Sequence, residues 1–104
     1  MNIILKGVLQ EELERNLQKQ RVFFNELKQY PKGSLVVVKI HGDEYIYRKK
    51  RIKDKIVSEY IGPKNSEISK KAYEDRVKYL SLKKDLKDLK DEEKHLRKVI
   101  KIYD

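Results

Sequence analysis

Residues 35 to 62, LVVVKIHGDEYIYRKKRIKDKIVSEYIG, hold three short runs separated by two turn signals, the first β-branched and the other two alternating aromatic or apolar with basic and polar side chains. Short runs with a period of two specify half-buried strands, so this stretch predicts an antiparallel meander over about 34–61. Gly42-Asp43 offers a two-residue hairpin turn, with Gly42 able to take the positive φ that such turns need. Pairing across it sets Ile40 opposite Tyr45 and Val38 opposite Tyr47. A second turn centred on Lys53-Asp54 sets Tyr47 opposite Tyr60 and Arg48 opposite Glu59, a favourable cross-strand charge pair. One face then carries Val36, Val38, Ile40, Tyr45, Tyr47 and Tyr60. This face is expected to lie under a helix with the tyrosine hydroxyls at its rim. The other face, with Lys39, His41, Arg48 and Lys50, is expected to be the open one.

Helical periodicity flanks the meander on both sides. Leu9, Leu13, Leu17, Phe24 and Leu27 share one face of a helix over about 8–30, which Pro31 stops. Glu11, Glu12 and Glu14 are expected in its opening turns, where the helix dipole favours them. PKGS, residues 31 to 34, reads as a turn, without the spacing of a phosphate-binding loop. A longer helix over about 66–103 has Ser66 or Ser69 as its cap. Tyr79, Leu82, Leu86, Leu89, Glu93, Leu96, Ile100 and Tyr103 step along it by threes and fours, which is heptad spacing. Lys84 with Asp88 and Lys87 with Asp91 stand at i,i+4, where ion pairs steady an exposed helix. Glu93 in the seam fixes register, pairs with a basic residue, or is exposed where the helix has left the core. The fold class is α+β, ordered α-β-β-β-α as a single small domain, with a three-stranded meander flanked by two long helices. The far end of the last helix needs a partner: the first helix, a second copy of the chain as a homodimer, or a target protein.

Charge narrows the function classes. The 104 residues carry 26 basic and 17 acidic side chains, a net charge of +9. Residues 46 to 55 hold Arg48, Lys49, Lys50, Arg51, Lys53 and Lys55 against Asp54 alone. Such a localised excess favours nucleic acid or an acidic protein surface. Lysines and arginines on edge strands also serve solubility and block edge pairing, so the same run reads as a solvated turn if it binds nothing. There is no cysteine, which removes disulfides, thiolate metal sites and thiol nucleophiles. MNIILKGVL is too short and too interrupted for a signal-peptide core, and no apolar run approaches a membrane span. A cytoplasmic location and no membrane contact are therefore expected.

Residues 33 to 62 resemble a small bacterial and mobile-element family. In it a Gly-Ser-hydrophobic strand leads to a Tyr-x-Tyr strand, a basic turn, a Ser-x-Tyr-Ile strand and a charged helix. The matching positions here are Gly33, Ser34, Val36, Tyr45, Tyr47, Arg48, Ser58, Tyr60 and Ile61. The resemblance covers about the middle third of the chain and implies its three-strand core, but it carries no activity. Longer relatives hold a cysteine-rich knuckle between the first two strands. This chain has only a tight turn there, so metal binding does not follow. In size and charge the protein is also similar to the anti-CRISPR-type inhibitors of phages and plasmids, a likeness of type rather than of motif.

From these readings the expected protein is non-enzymatic, with no cofactor and no metal. It is expected to inhibit a host nucleic-acid-handling defence system by binding the effector protein or its guide RNA. Lys39, Arg48, Lys49, Lys50, Arg51, Lys53 and Lys55 form the expected partner-binding surface. A DNA- or RNA-binding accessory of a transposase or recombinase, holding generic nucleic acid with the same hairpin, stays open beside it. Tyr45, Tyr47 and Tyr60 as a stacking platform for bases is the rival to their packing as core. A small nuclease built on Asp43, Glu44, Asp54 and Glu59 is a third reading. His41 and His95 lie on different elements without metal-ligand spacing.

Overall fold

The computed structural model describes residues 3–104. The elements are α1 (Ile3–Leu27), β1 (Ser34–Ile40), β2 (Asp43–Ile52), β3 (Lys55–Pro63) and α2 (Glu67–Ile102), the expected α-β-β-β-α order. The chain gathers into two compact units, Met1–Gln29 with Ser81–Asp104, and Tyr30–Leu80. Among the described residues no helix is long and apolar enough to cross a membrane.

In the first unit, α1 runs antiparallel to the C-terminal part of α2. The expected heptad positions in this unit, Leu82 to Ile100 on α2 and Tyr103 just after it, are all buried or half-buried, and nearly all residues between them are exposed. The facing positions of α1 are Leu9, Leu13, Asn16, Gln20, Phe23 and Leu27, again stepping by threes and fours. Phe24, expected inside, is instead 49% exposed, with the Lys28 ammonium 4.5 Å from its ring centre. An apolar-only reading misses this register because two of its positions are amides.

Asn16 is buried. Its Nδ2 donates to the Leu89 carbonyl at 2.8 Å and to Glu92 Oε1 at 3.1 Å, while Oδ1 accepts from Gln20 Nε2 at 2.6 Å. Gln20 also donates to Glu93 Oε1 at 2.8 Å, and Arg97 Nε donates to Glu93 Oε2 at 2.7 Å. The glutamate in the seam is therefore a register device with a basic partner. The helix starts earlier than expected, at Ile3, so its first turn holds no acidic residue. Lys6 near that end pairs instead with Asp104. On α2 the i,i+4 pairs that form are Lys71–Asp75 at 2.9 Å and Arg97–Glu93. Lys84–Asp88 and Lys87–Asp91 do not close.

In the second unit, β2 is the central strand of an open antiparallel sheet ordered β1-β2-β3. From Ile52 to Tyr47 the β2–β3 register is the expected one, with Tyr47 opposite Tyr60 and Arg48 opposite Glu59; a bulge at Ile46/Tyr47 then shifts β3 by one residue, which puts Gly62 on the face opposite to that of Tyr60. The first hairpin differs: its turn is His41-Gly42, with Ile40 opposite Asp43, Val38 opposite Tyr45 and Val36 opposite Tyr47. His41 (φ 51°) and Gly42 (φ 88°) both take positive φ, as the tight turn matching strand twist requires. The pairing moves by two residues, so parity holds and the expected membership of each face survives.

The helix covers the opposite face from the one expected. Gly62 lies opposite Ile46, and a Cβ on it would come within 2.7 Å of Ile68 Cγ2 and 3.1 Å of Ser66 Oγ. Ile46 and Ser69 are completely buried, and Ala72 nearly so. Small side chains at Gly62, Ser69 and Ala72 let the helix approach closely, whereas a tyrosine-lined face holds it off. Ser66 is the cap: its Oγ accepts from the Ser69 amide at 3.3 Å and donates to the Pro63 carbonyl at 2.7 Å.

Gly62→Ala should cost about 1–3 kcal/mol through overpacking against Ile68, read as a lowered melting temperature. Leu86→Ala, in the buried seam, should cost about 2–5 kcal/mol in denaturant unfolding. Hydrogen bonds from Gln20 and then Arg97 hold the Glu93 carboxyl below its ordinary value. A depressed carboxyl stabilises the fold above the ordinary glutamate range, and this is lost as pH falls through the lowered value. Glu93→Gln should therefore flatten the acid side of the stability–pH profile measured by thermal melts.

Candidate nucleic-acid interface

β1 ends its pairing with Ser34 opposite Lys49, but β2 and β3 continue to pair as far as Ile52 opposite Lys55. Residues 50 to 57 therefore form a two-stranded arm beyond the third strand, closed by the Lys53-Asp54 turn with Lys53 at φ 57°. Every residue from Arg51 to Tyr60 is exposed. Gly33 anchors the base of this arm. It sits at φ 106°, and a Cβ on it would lie 2.6 Å from the Lys49 carbonyl oxygen.

Alternation divides the cations between the faces. Lys49 and Arg51 share the tyrosine face with Ile56 and Ser58, while Arg48, Lys50 and Lys55 lie on the other with Val57 and Glu59. Lys53 stands at the tip. Same-face neighbours along a strand are about 6.6 Å apart, a spacing comparable to that of successive phosphates on a nucleic-acid strand. Lys50 Nζ reaches Glu59 Oε2 at 3.9 Å, so the cross-strand ion pair forms with Lys50 rather than with Arg48. Among the described residues Arg48, Lys49, Arg51, Lys53 and Lys55 have no acidic partner within ion-pair distance. Their charge is available to a ligand.

Lys39 is not brought to this cluster. It stands opposite Glu44 in the β1–β2 register, at the other end of the sheet next to the His41-Gly42 turn, and the ion pair of Glu44 is with Lys64 at 3.2 Å. The carboxylates are dispersed as well. Asp43 and Glu44 open β2, Asp54 lies in the far turn, and Glu59 is mid-β3. Among the described residues no group of three or more histidines or carboxylates is placed to hold a metal. His41 is an exposed turn residue and His95 an exposed position on α2.

The arm also carries exposed Ile52, Ile56 and Val57, which the charge pattern alone concealed. Beyond it, Ile40, Tyr45, Tyr47 and Tyr60 line a shallow cleft of about 380 Å³. Tyr60 packs against Tyr47 edge-on at 5.4 Å and 64°, and against Tyr45 at 6.1 Å and 50°. Comparison of the chain with protein-family models, curated proteins and solved structures finds no match.

Proposed function

We propose that this protein is a small non-enzymatic module that binds nucleic acid through the β2–β3 arm. The observation that carries this reading is the arm itself. Arg51, Lys53 and Lys55, without acidic partners, stand on a two-stranded extension whose tip residues are all exposed, and Arg48 and Lys49 flank its base. Phosphate contacts of this kind supply affinity and its salt dependence without requiring a particular base sequence.

Two cellular settings use such a module. One is a mobile-element inhibitor that occupies the guide RNA of a host defence effector, and the likeness to anti-CRISPR-type proteins favours it. The other is an accessory of a transposase or recombinase. Tighter binding to an effector–guide complex than to free oligonucleotides supports the first, and equal binding supports the second.

The test is charge reversal of Arg51, Lys53 and Lys55 to Glu, the exposed cations of the arm that have no acidic partner. Each exposed substitution should shift stability by no more than about 0.5 kcal/mol, so helicity and melting should be preserved. Titration with a short oligonucleotide at several salt concentrations should show affinity at least about tenfold weaker. The log–log salt slope should be flatter by roughly 2, from three lost phosphate contacts on a single strand. Unchanged affinity would reduce the arm to a solvated turn. The search would then move to Lys83, Lys87, Lys90, Lys94 and Arg97 of α2.

A further inference from the structure

We infer that the tyrosine face beside the arm stacks unpaired bases, which makes the ligand a single strand rather than a duplex. This rests on the reading of the arm as a phosphate-binding element and adds what that element alone does not specify.

The single helix of the Tyr30–Leu80 unit lies on the Ile46 face, so within this unit the tyrosine face has no covering element. Tyr60 is 52% exposed and Ile40 41%. Along β2, alternate residues on this one face run Asp43, Tyr45, Tyr47, Lys49 and Arg51. Aromatic rings thus give way to cations at steps of about 6.6 Å along the central strand. Tyr60 joins the two tyrosines of β2 from the neighbouring strand, tilted so that the three rings do not stack face to face with one another. A base on these rings has its phosphates within reach of Lys49 and Arg51, and the acidic Asp43 end disfavours the reverse placement. An apolar peptide would use the rings but not the cations. A duplex would use the cations but bury its bases away from the rings. A single strand uses both.

Tyr60 is the residue to change, because its exposure makes its replacement least costly to the fold. The probes are oligouridylate, oligothymidylate, a duplex oligonucleotide and inorganic polyphosphate. Both single strands should bind more tightly than duplex or polyphosphate, and they should quench the intrinsic tyrosine fluorescence, which polyphosphate should not. Tyr60→Leu should weaken single-strand binding roughly tenfold while leaving polyphosphate binding unchanged, and Tyr60→Phe should retain it. A preference for oligouridylate over oligothymidylate would identify RNA as the source of the strand, and the reverse DNA. Equal loss for polyphosphate, or no loss for the single strands, overturns the stacking inference while the arm reading stands. Absence of binding to every polyanion by the parent overturns both. A change in oligomeric state on Tyr60→Leu, measured by light scattering, would make the face a contact between copies of the chain and equally overturn the inference.

Discussion

The close seat of α2 on β3 at Gly62 decides which side of the sheet is core. With no Cβ at that position, Ile68 and Ser66 can come to distances that any other residue would block. The first turns of α2 then seal Ile46 beneath Ser69 and Ala72. A sheet packed by one helix has one covered face, so this contact also determines what is left open. Within the Tyr30–Leu80 unit the face without a helix holds the tyrosines, and the arm that extends from β2 and β3 holds Arg51, Lys53 and Lys55 without acidic partners. Packing on one side thereby defines the chemistry available on the other.

The helical unit solves a different problem. Two helices meeting along a narrow heptad seam can slide by a turn without losing much apolar burial. Asn16 and Gln20 remove that freedom, because their amides find partners only where Leu89, Glu92 and Glu93 stand opposite. A buried polar group of this sort costs stability compared with leucine but specifies register. Gln20 first and then Arg97, by their hydrogen bonds, favour the charged form of Glu93 and complete the network. The remaining charges of the unit, including Lys84, Lys87 and their acidic neighbours, act as a solvated surface.

Element order, the heptad of α2 and the β2–β3 register were all legible in the sequence, because each rests on a local period or a tight turn. The α1 seam was half legible. Its strict heptad runs through two amides, and a reading by hydrophobicity alone substitutes Leu17 and Phe24 for Asn16 and Phe23. The first turn was misplaced by one residue because histidine is a less familiar left-handed residue than glycine. The covered face was misassigned because counting apolar residues favours the tyrosine side, whereas close approach depends on small ones. Alternation alone sets Gly62 on the Tyr60 side, and the bulge at Ile46/Tyr47 that turns it to the Ile46 side has no local signal; Ser69 and Ala72, a helical turn apart, mark the closely packed side of the helix. That Lys39 lies apart from the other cations follows only from where β1 stops.

The central claim is that nucleic acid contacts the arm and the tyrosine face together. Amide and tyrosine-ring chemical shifts, followed by NMR while oligouridylate is added, test it most directly. The account predicts perturbations concentrated on Tyr45, Tyr47, Tyr60 and residues 48 to 56, with the heptad seam of α1 and α2 unmoved. Perturbations centred instead on Lys83, Lys87, Lys90, Lys94 and Arg97, or none at saturating oligonucleotide, would contradict it.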